Sequence, residues 1–489
     1  MTTHTPAPLN LANVQGDILA GLPKKTQTYV LFEITDAQAF RTALTHLIPL
    51  ITSTEQVKKD RHSIDENKKT AAHSGHPPPL LDIVGVNVSF SQLGLNKLGI
   101  KDDIKDAVFK AGQLSDAQNL GDPGTTNASK KFVPDWIDAF KKGVHGVFIV
   151  SGSCHELVSK KVEEIEHIFG VHGHHASYTQ LLSIVGDVRP GKEKGHEHFG
   201  FLDGISQPAV KGIDTDPNPG QETIRQGIML LGRDGDDVAA QRPSWALDGS
   251  FLAFRYLFQL VPEFNKFLHD NPIDLPGLTR AEGSELLGAR FMGRWKSGAP
   301  IDISPLKDDP ALATDPKKNN NFRFQGEANS QTRCPFSAHV RKTNPRADLE
   351  DTKPPNSTEN RRIIRRGVQF GPELTAEEQH ANKTIHGRGL IFAAYQANIA
   401  NGFQFIQHSW ANNQKFIFGT TVEPGFDPII GQAGSDGART VSGSNPKAQA
   451  NMLTLPTQWV VPKGGEYFFS PSIPALRDTF ALGVHIESY

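Results

Sequence analysis

This sequence of 489 residues contains few cysteines and no long apolar run, and its net charge is close to zero. Its two cysteines, Cys154 and Cys334, cannot build a disulfide framework, and neither belongs to a C-x-x-C pair of the kind that zinc sites and thiol redox motifs use. The 51 Lys and Arg residues nearly balance the 53 Asp and Glu residues, so no global basic field points to nucleic acid or anionic lipid. We therefore expect small-molecule partners.

The longest apolar runs, such as residues 29–32 and 147–150, are far shorter than the ~18–20 residues that cross a bilayer, so no membrane association is expected. The first eight residues have neither the basic nor the apolar segment of a secretory signal. The chain is longer than the ~250–300 residues that one core supports, which predicts two domains or a duplicated unit.

The order of strand-like and helix-like segments predicts an α+β fold in which two halves each open with a strand and then a helix. Residues 214–220 are rich in turn-forming residues and predict the boundary between domains at 1–215 and 221–489. The charged segment 55–79 shows no apolar period, so it is predicted to be a solvated loop.

Three segments contain side chains suited to chemistry, and the first is GFLDG at 200–204. Asp203 follows apolar residues and precedes a glycine. Desolvation in an apolar wall raises the pKa of a carboxyl group, which can then shuttle a proton. An Asx turn explains the same residues equally simply.

Two histidine clusters, at 172–175 and 196–198, are interpreted as loop residues or as metal ligands.

The second segment places His339 among small and apolar residues, where an uncharged imidazole can bind iron and the nearby cations can pair with haem propionates. A core histidine bound to a backbone carbonyl is the alternative. In the third segment, Arg365 in a strand would point oppositely to Ile364 and Arg366. An inward guanidinium needs an anion or a polar ligand, whereas a solvated basic edge strand needs neither.

Four long segments together resemble the dye-decolorizing peroxidases of the fungal type. They are GFLDG at 200–204, RCPFSAHVRKTNPR at 333–346, IIRRGVQFGPE at 363–373 and GRGLIFAAYQANI at 387–399. The segments at 10–19 and 465–471 also resemble that family, so the resemblance covers essentially the whole chain.

The resemblance implies two ferredoxin-like α+β domains with one haem b per chain, held chiefly by the C-terminal domain. It implies that hydrogen peroxide oxidises bulky dyes and phenolic aromatics through an oxoferryl haem carrying a porphyrin radical. Secretion follows from the family, with the cytoplasm as the alternative, and the protein is expected to be a monomer or a homodimer. The competing functions are a haem-binding or haem-handling protein with little turnover and a non-haem metalloprotein built on the histidine clusters.

The resemblance also implies residue roles. His339 is the proximal iron ligand, Asp203 the distal acid/base and Arg365 the distal arginine. The remaining residues expected at the cofactor or its channels are Leu202 and Gly204 beside Asp203, Arg341 on a haem propionate, Leu390 and Phe392 narrowing the peroxide channel, and Asp427 accepting the imidazole N–H.

Phe370 departs from the family pattern, because many relatives carry a tyrosine there that can form a surface radical. We therefore predict that Trp410, with polar neighbours and a partly exposed indole, passes electrons from bulky dyes; a packing role is the alternative. Tyr395, in an apolar strand, is the other candidate. The acidic cluster at 348–351, formed by Asp348, Glu350 and Asp351, offers hard oxygen ligands for Mn(II), unless it is a solvated loop.

Overall fold

A computed structural model describes residues 8–74, 78–173, 175–327, 330–353, 356–435 and 438–482. Its main sheet has nine strands: β1 (Thr26–Ile34), β2 (Val84–Phe90), β3 (Gly146–Gly152), β4 (Tyr178–Asp187), β5 (Ser250–Gln259), β6 (Ile364–Arg365), β7 (Val368–Phe370), β8 (Gly389–Gln396) and β9 (Val460–Ser470). Two-residue and three-residue strands pair outside this sheet at Gly124–Thr126 with Phe132–Pro134, Ala209–Val210 with Thr223–Ile224, and Arg439–Val441 with Leu453–Leu455.

The α-helices of the first half are α1 (Gly16–Leu19), α2 (Ala37–Leu47), α3 (Thr54–Ser74), α4 (Gln92–Lys97), α5 (Ala107–Ala111), α6 (Gln113–Asp116) and α7 (His155–Ile168). Those of the second half are α8 (Val261–Asp270), α9 (Arg280–Met292), α10 (Pro310–Thr314), α11 (His339–Thr343), α12 (Ala347–Glu350), α13 (Ala376–Ala381), α14 (Phe403–Phe405) and α15 (Ile473–Ala475). Two π-helical turns follow, at Ile406–Ala411 and Leu476–Ala481.

The strand order in the sheet is β6–β8–β5–β9–β2–β3–β1–β4, and β7 also pairs with β8. The strands of each half are therefore neighbours, and the two sets lie side by side in one sheet. The halves join where Phe469 of β9 pairs with Phe90 of β2. At the far ends, a Cβ on Gly186 of β4 would lie 2.4 Å from Val368 Cγ1 of β7, so only glycine permits this approach. The sheet thus curls into a barrel, and the predicted α+β class with two ferredoxin-like halves is confirmed.

The inner and outer faces of the barrel have different roles. The inner face is a shared apolar core, which includes Tyr29, Phe254, Ile391 and Phe468. On β8 the side chains alternate, so that Leu390 and Phe392 lie on the outer face opposite Ile391. The outer face of the second half, together with α9 and α11, surrounds the candidate site.

The segment at 55–79 was predicted to be a loop, and this prediction is wrong for most of its length, because α3 spans Thr54–Ser74. The helix buries only a few side chains, among them Val57 and Ala71, and therefore leaves no clear apolar period in the sequence. Ion pairs one turn apart stabilise it instead, at Lys59–Glu55, Lys68–Asp65 and Lys69–Glu66. The domain boundary at 214–220 stays a prediction.

Candidate active site

A cavity of about 520 Å³ lies on the outer face of the second half of the barrel. Its wall is largely apolar, with Leu257, Leu390 and Phe392 contributed by strands and Ile429 by a loop. Many polar side chains also line it, and they include His339, Asp203 and Arg365, which the sequence places far apart. A concave, largely apolar surface on which polar groups converge is typical of a cofactor or ligand site.

On one side of the cavity, which we call the proximal side, His339 begins the short helix α11. Its Nδ1 lies 2.8 Å from Oδ2 of Asp427, which is fully buried. The other oxygen of Asp427 accepts hydrogen bonds from the amides of Ile429 and Ile430 at 2.8 and 2.9 Å. Because a carboxylate only accepts, Nδ1 carries the proton and Nε2 keeps its lone pair for a metal ion.

The distal side of the cavity is built from Asp203 and Arg365, whose side chains are 34% and 32% exposed. Arg365 Nη1 donates to Asp203 Oδ1 at 2.7 Å. The position of Arg365 follows from β6, where Ile364 enters the barrel core and the next side chain faces the opposite way. The predicted orientation of Arg365 is therefore confirmed, and the two distal residues form one pair.

The expected rise in the pKa of Asp203 is wrong. Burial does act to raise this pKa, but attraction to Arg365 and the hydrogen bond from its guanidinium outweigh burial, and the pKa lies below the ordinary value of 3.8. Asp203 is therefore a carboxylate ready to accept a proton. Leu202 and Gly204 line the cavity beside it, and the amide of Gly204 donates to Asp203 Oδ1 at 2.6 Å; their contact with a cofactor stays a prediction.

Arg341 does not meet the cavity, so the prediction that it contacts a haem propionate is wrong. It is fully buried, binds both oxygens of Asp348 at 2.7 Å, and donates to the carbonyl groups of Cys334 and Glu327. The reason is helical geometry, since two residues along a helix turn the side chain by about 200° from His339.

Two arginines that sequence reasoning missed, Arg294 and Arg346, line the cavity and are 5% and 6% exposed. Both donate to Oδ1 of Asn320, and among the described residues neither forms an ion pair. Burial lowers their pKa values to about 9 and about 10. Buried cations need counter-charge, so this wall suits the carboxylates of a bound group. Arg346 ends the motif that contains His339, but no sequence signal marked Arg294.

The acidic cluster is not arranged as a Mn(II) site, which corrects the expectation for it. Asp348 is taken up by Arg341, while Glu350 and Asp351 both pair with Arg323, at 3.1 and 2.9 Å. Across the described ranges, no group of three His, Cys, Asp or Glu side chains could hold a metal ion. His174 of the first histidine cluster lies outside those ranges, and His198 of the second is buried against the carbonyl of Phe370.

Trp410 is only 4% exposed, so the prediction of a partly exposed indole is wrong. Its ring stacks on Phe416 with centroids 5.1 Å apart and meets Phe405 edge-on at 5.4 Å. The prediction failed because polar neighbours of Trp410 form hydrogen bonds inside the protein. The Gln407 side-chain amide, for example, donates to the carbonyl of Ile430. Tyr395 is buried as expected, and its hydroxyl donates to Asp17. The electron-transfer role of Trp410 stays a prediction.

Within the described part of the chain, no helix has both the length and the apolar character to span a membrane. Two family models match the sequence: the DyP dimeric alpha+beta barrel domain over residues 13–190 and the C-terminal domain of Dyp-type peroxidases over residues 199–417.

Curated relatives match nearly the whole chain. Peroxidase 2 of Mycetinis scorodonius is 45% identical over 491 residues, covering 97% of this chain and 88% of the relative. A dye-decolorizing peroxidase of Exidia glandulosa is 45% identical over 480 residues, covering 97% and 87%. Solved structures agree in fold. An ancestral D-type dye-decolorizing peroxidase superposes on this chain with a TM-score of 0.91 and is 64% identical in sequence. A dye-decolorizing peroxidase in complex with 2,6-dimethoxyphenol superposes with a TM-score of 0.83 and is 45% identical. Each comparison covers 97% of this chain and 100% of the other.

Proposed function

The chain belongs to the dye-decolorizing peroxidases, in their fungal type, and on that premise we propose that its cavity binds one haem b per chain and reduces hydrogen peroxide there. Enzymes of this family depend on haem, and the family supports a peroxidase over a haem-handling protein. We further propose bulky dyes and phenolic aromatics as the electron donors, which the relative solved with 2,6-dimethoxyphenol supports.

The residues of the cavity fit a haem. His339 offers Nε2 to the iron while Asp427 fixes its tautomer, and a carboxylate behind a ligating imidazole raises its basicity. Arg294 and Arg346 are buried cations that form no ion pair with the described residues, and they suit the two propionates. Neither cysteine lines the cavity and the sequence has no C-x-x-C-H motif, so the thioether bonds of a c-type haem have no anchor here. This supports our proposal of a non-covalent haem b.

The observation that carries the peroxidase function is the free acceptor on the distal carboxylate. Oδ1 of Asp203 receives both the Arg365 and Gly204 hydrogen bonds, and Oδ2 receives none from the residues that the structure describes. Oδ2 is therefore available to a substrate proton, next to a permanent cation. A protein that only carries haem has no use for this pair.

When bound, the haem supplies the iron and the conjugated ring that take up the oxidising equivalents of peroxide. Asp203 accepts the proton from the inner oxygen of hydrogen peroxide and returns it to the outer oxygen, which leaves as water. Arg365 stabilises the negative charge that develops as the O–O bond breaks, and it keeps Asp203 ionised between turnovers. Leu390 and Phe392 line the cavity. In this proposal they narrow the route to Asp203, so that peroxide enters and bulky dyes do not.

One titration tests this function. The haem-loaded protein should show a Soret band, which one equivalent of hydrogen peroxide changes within the mixing time and which two equivalents of 2,6-dimethoxyphenol then restore. A Soret band that peroxide leaves unchanged would identify a haem-handling protein. Bound metal with no Soret band would identify a non-haem site.

A further inference from the structure

The loop that precedes Asp203 is folded around a buried carboxylate, Glu197, which is 7% exposed and lines the cavity. Each of its two oxygens accepts one backbone hydrogen bond, from the amide of Phe199 and from the amide of Phe201, both at 2.9 Å. Gln259 of β5 donates a third hydrogen bond from its side-chain amide. Three N–H donors from two parts of the chain therefore converge on this one side chain.

Main-chain hydrogen bonds close the loop around that carboxylate. The amide of Glu197 donates to the carbonyl of Phe201 at 3.0 Å, and the amide of Gly200, whose φ is +93°, donates to the carbonyl of Glu197 at 2.8 Å. Arg189 holds the same carbonyl from outside at 2.6 Å. We call residues 197–201 the Glu197 turn.

The Glu197 turn ends two residues before Asp203, so its shape determines where Asp203 begins. Beyond the turn, the amide of Leu202 donates to the carbonyl of Lys296 and the amide of Asp203 to the carbonyl of Gly195. These two bonds anchor the main chain, but they do not fix the turn from which Asp203 emerges. Two side chains of the turn bind the sheet: His198 contacts the carbonyl of Phe370 in β7, and the carboxylate of Glu197 accepts from Gln259 in β5. Of the two, only the carboxylate also binds the amides within the turn.

We propose that Glu197 is a positioning residue for the peroxide step: it holds the Glu197 turn in the shape that brings Asp203 to Arg365 at 2.7 Å. The inference rests on the proposed function, in which Asp203 moves the peroxide proton. Burial raises the pKa of Glu197, whereas the three hydrogen bonds to its oxygens favour the charged form. We therefore assign Glu197 to the shape of the turn, and proton transfer stays with Asp203.

Glu197→Gln is the most informative change, because it keeps the volume and replaces one acceptor oxygen by an NH2 group. That NH2 group would face a backbone N–H donor, so the amide of Phe199 or Phe201 would lose its acceptor. Glu193→Gln is the matched control. It makes the same chemical change four residues earlier, at a carboxylate that pairs with Arg189 at 3.5 Å outside the turn.

Steady-state kinetics of the haem-loaded enzymes separate the two halves of the cycle. In Glu197→Gln, kcat/KM for hydrogen peroxide should fall by on the order of 10²-fold, as for a misplaced catalytic group, while kcat/KM for 2,6-dimethoxyphenol stays at the wild-type value. Amide exchange in peptides spanning residues 197–203 should accelerate without a change elsewhere. Glu193→Gln should match the wild type in all three measurements.

A wild-type kcat/KM for peroxide in Glu197→Gln would overturn the inference, and so would an equal fall in both constants, which indicates general damage. Should Glu197→Gln fail to fold, Gln259→Met removes only the third donor and should show the same split with a smaller fall; an unchanged peroxide constant there would also overturn it. Asp203→Asn is the reference: if that variant keeps its peroxide rate, the proposed function itself fails, whereas a slow Asp203→Asn beside a fast Glu197→Gln rejects only the role of Glu197.

Discussion

The proximal and distal sides of the cavity both place a carboxylate beside a nitrogen-containing side chain, but the two carboxylates differ in burial and in hydrogen bonding. Asp427 is fully buried and spends both oxygens on fixed hydrogen bonds, to His339 and to two backbone amides. Asp203 is one-third exposed to the cavity and keeps one oxygen without a hydrogen bond from the described residues. A saturated, buried carboxylate holds a ligand still, whereas an exposed carboxylate with a free oxygen can gain and lose a proton.

The secondary-structure elements that carry the residues of the two sides also differ in how closely they are packed. On the proximal side, Lys342 of α11 is fully buried, and its ammonium group donates to the carbonyls of Asn413 and Phe416, which attaches the short helix to the segment after the first π-helical turn. Desolvation lowers the pKa of Lys342 to about 7. On the distal side, Asp203 sits on a loop and Arg365 on a two-residue strand. The proximal side, which would hold the iron ligand, is therefore closely packed, and the distal side, which would react with peroxide, is more open.

The largest expected effect breaks the proximal side. His339→Ala should purify largely without haem or with a displaced Soret band, because His339 is the one imidazole on the described cavity wall. Haem content per chain, measured as pyridine haemochrome, checks this. Full haem with unchanged peroxidase activity would remove His339 from the site.

Breaking the distal side should leave haem in place. Asp203→Asn and Arg365→Leu should slow the reaction with peroxide by ~10²–10⁴-fold, the range for loss of a positioned proton-transfer group. Stopped-flow mixing with peroxide measures the rate per haem. Wild-type rates in both variants would exclude the pair from the mechanism.

Asp427→Asn should have a smaller effect, because the imidazole remains and only its orientation and basicity change. We expect a loss of ~10–100-fold in haem affinity, as is typical for the partner of a metal ligand. Transfer of haem to apomyoglobin gives the dissociation rate. Retention equal to that of the wild type would show that Asp427 does not support the ligand.

The distal pair can also be probed by pH. Asp203 must be ionised to accept the peroxide proton, and its pKa lies below 3.8, so the rate should persist into acid and fall only as the pH passes below that value. In Arg365→Leu the pKa of Asp203 should rise, because burial then acts without the opposing cation, and the acid limb should move to higher pH. Identical acid limbs in the two proteins would contradict the coupling.

The smallest effect concerns dyes too large for the cavity. Trp410→Phe keeps the stacking on Phe416 but is much harder to oxidise, so turnover of a large dye should fall while small phenols are unaffected. Burial of Trp410 means that electrons would have to pass through its aromatic neighbours. Unchanged turnover of the large dye would reject this route.

The sequence predicts the central residues of both sides because each lies in a motif. His339 and Asp427, and likewise Asp203 and Arg365, are far apart in the chain, yet family resemblance and strand alternation were enough to pair them. Contacts made through the backbone were beyond reach: Glu197 binds the amides of residues two and four positions later, and any residue type supplies those amides.

Burial was the other source of error. Arg341 and Trp410 were placed by their neighbours in sequence, but their surroundings come from distant segments, such as the ring of Phe416 that covers Trp410. Arg294, two residues after the end of α9, reaches the cavity only through tertiary packing. The helix α3 escaped notice because surface ion pairs, rather than an apolar face, stabilise most of its length.

The division of labour between the two sides is tested most directly by measuring haem content and peroxide rate on the same preparations of His339→Ala and Asp203→Asn. We predict that His339→Ala loses haem, and that Asp203→Asn keeps a full complement of haem while its rate per haem falls by ~10²–10⁴-fold. If haem content and rate fall together in both variants, or if Asp203→Asn reacts with peroxide as fast as the wild type, the two sides do not have separate roles.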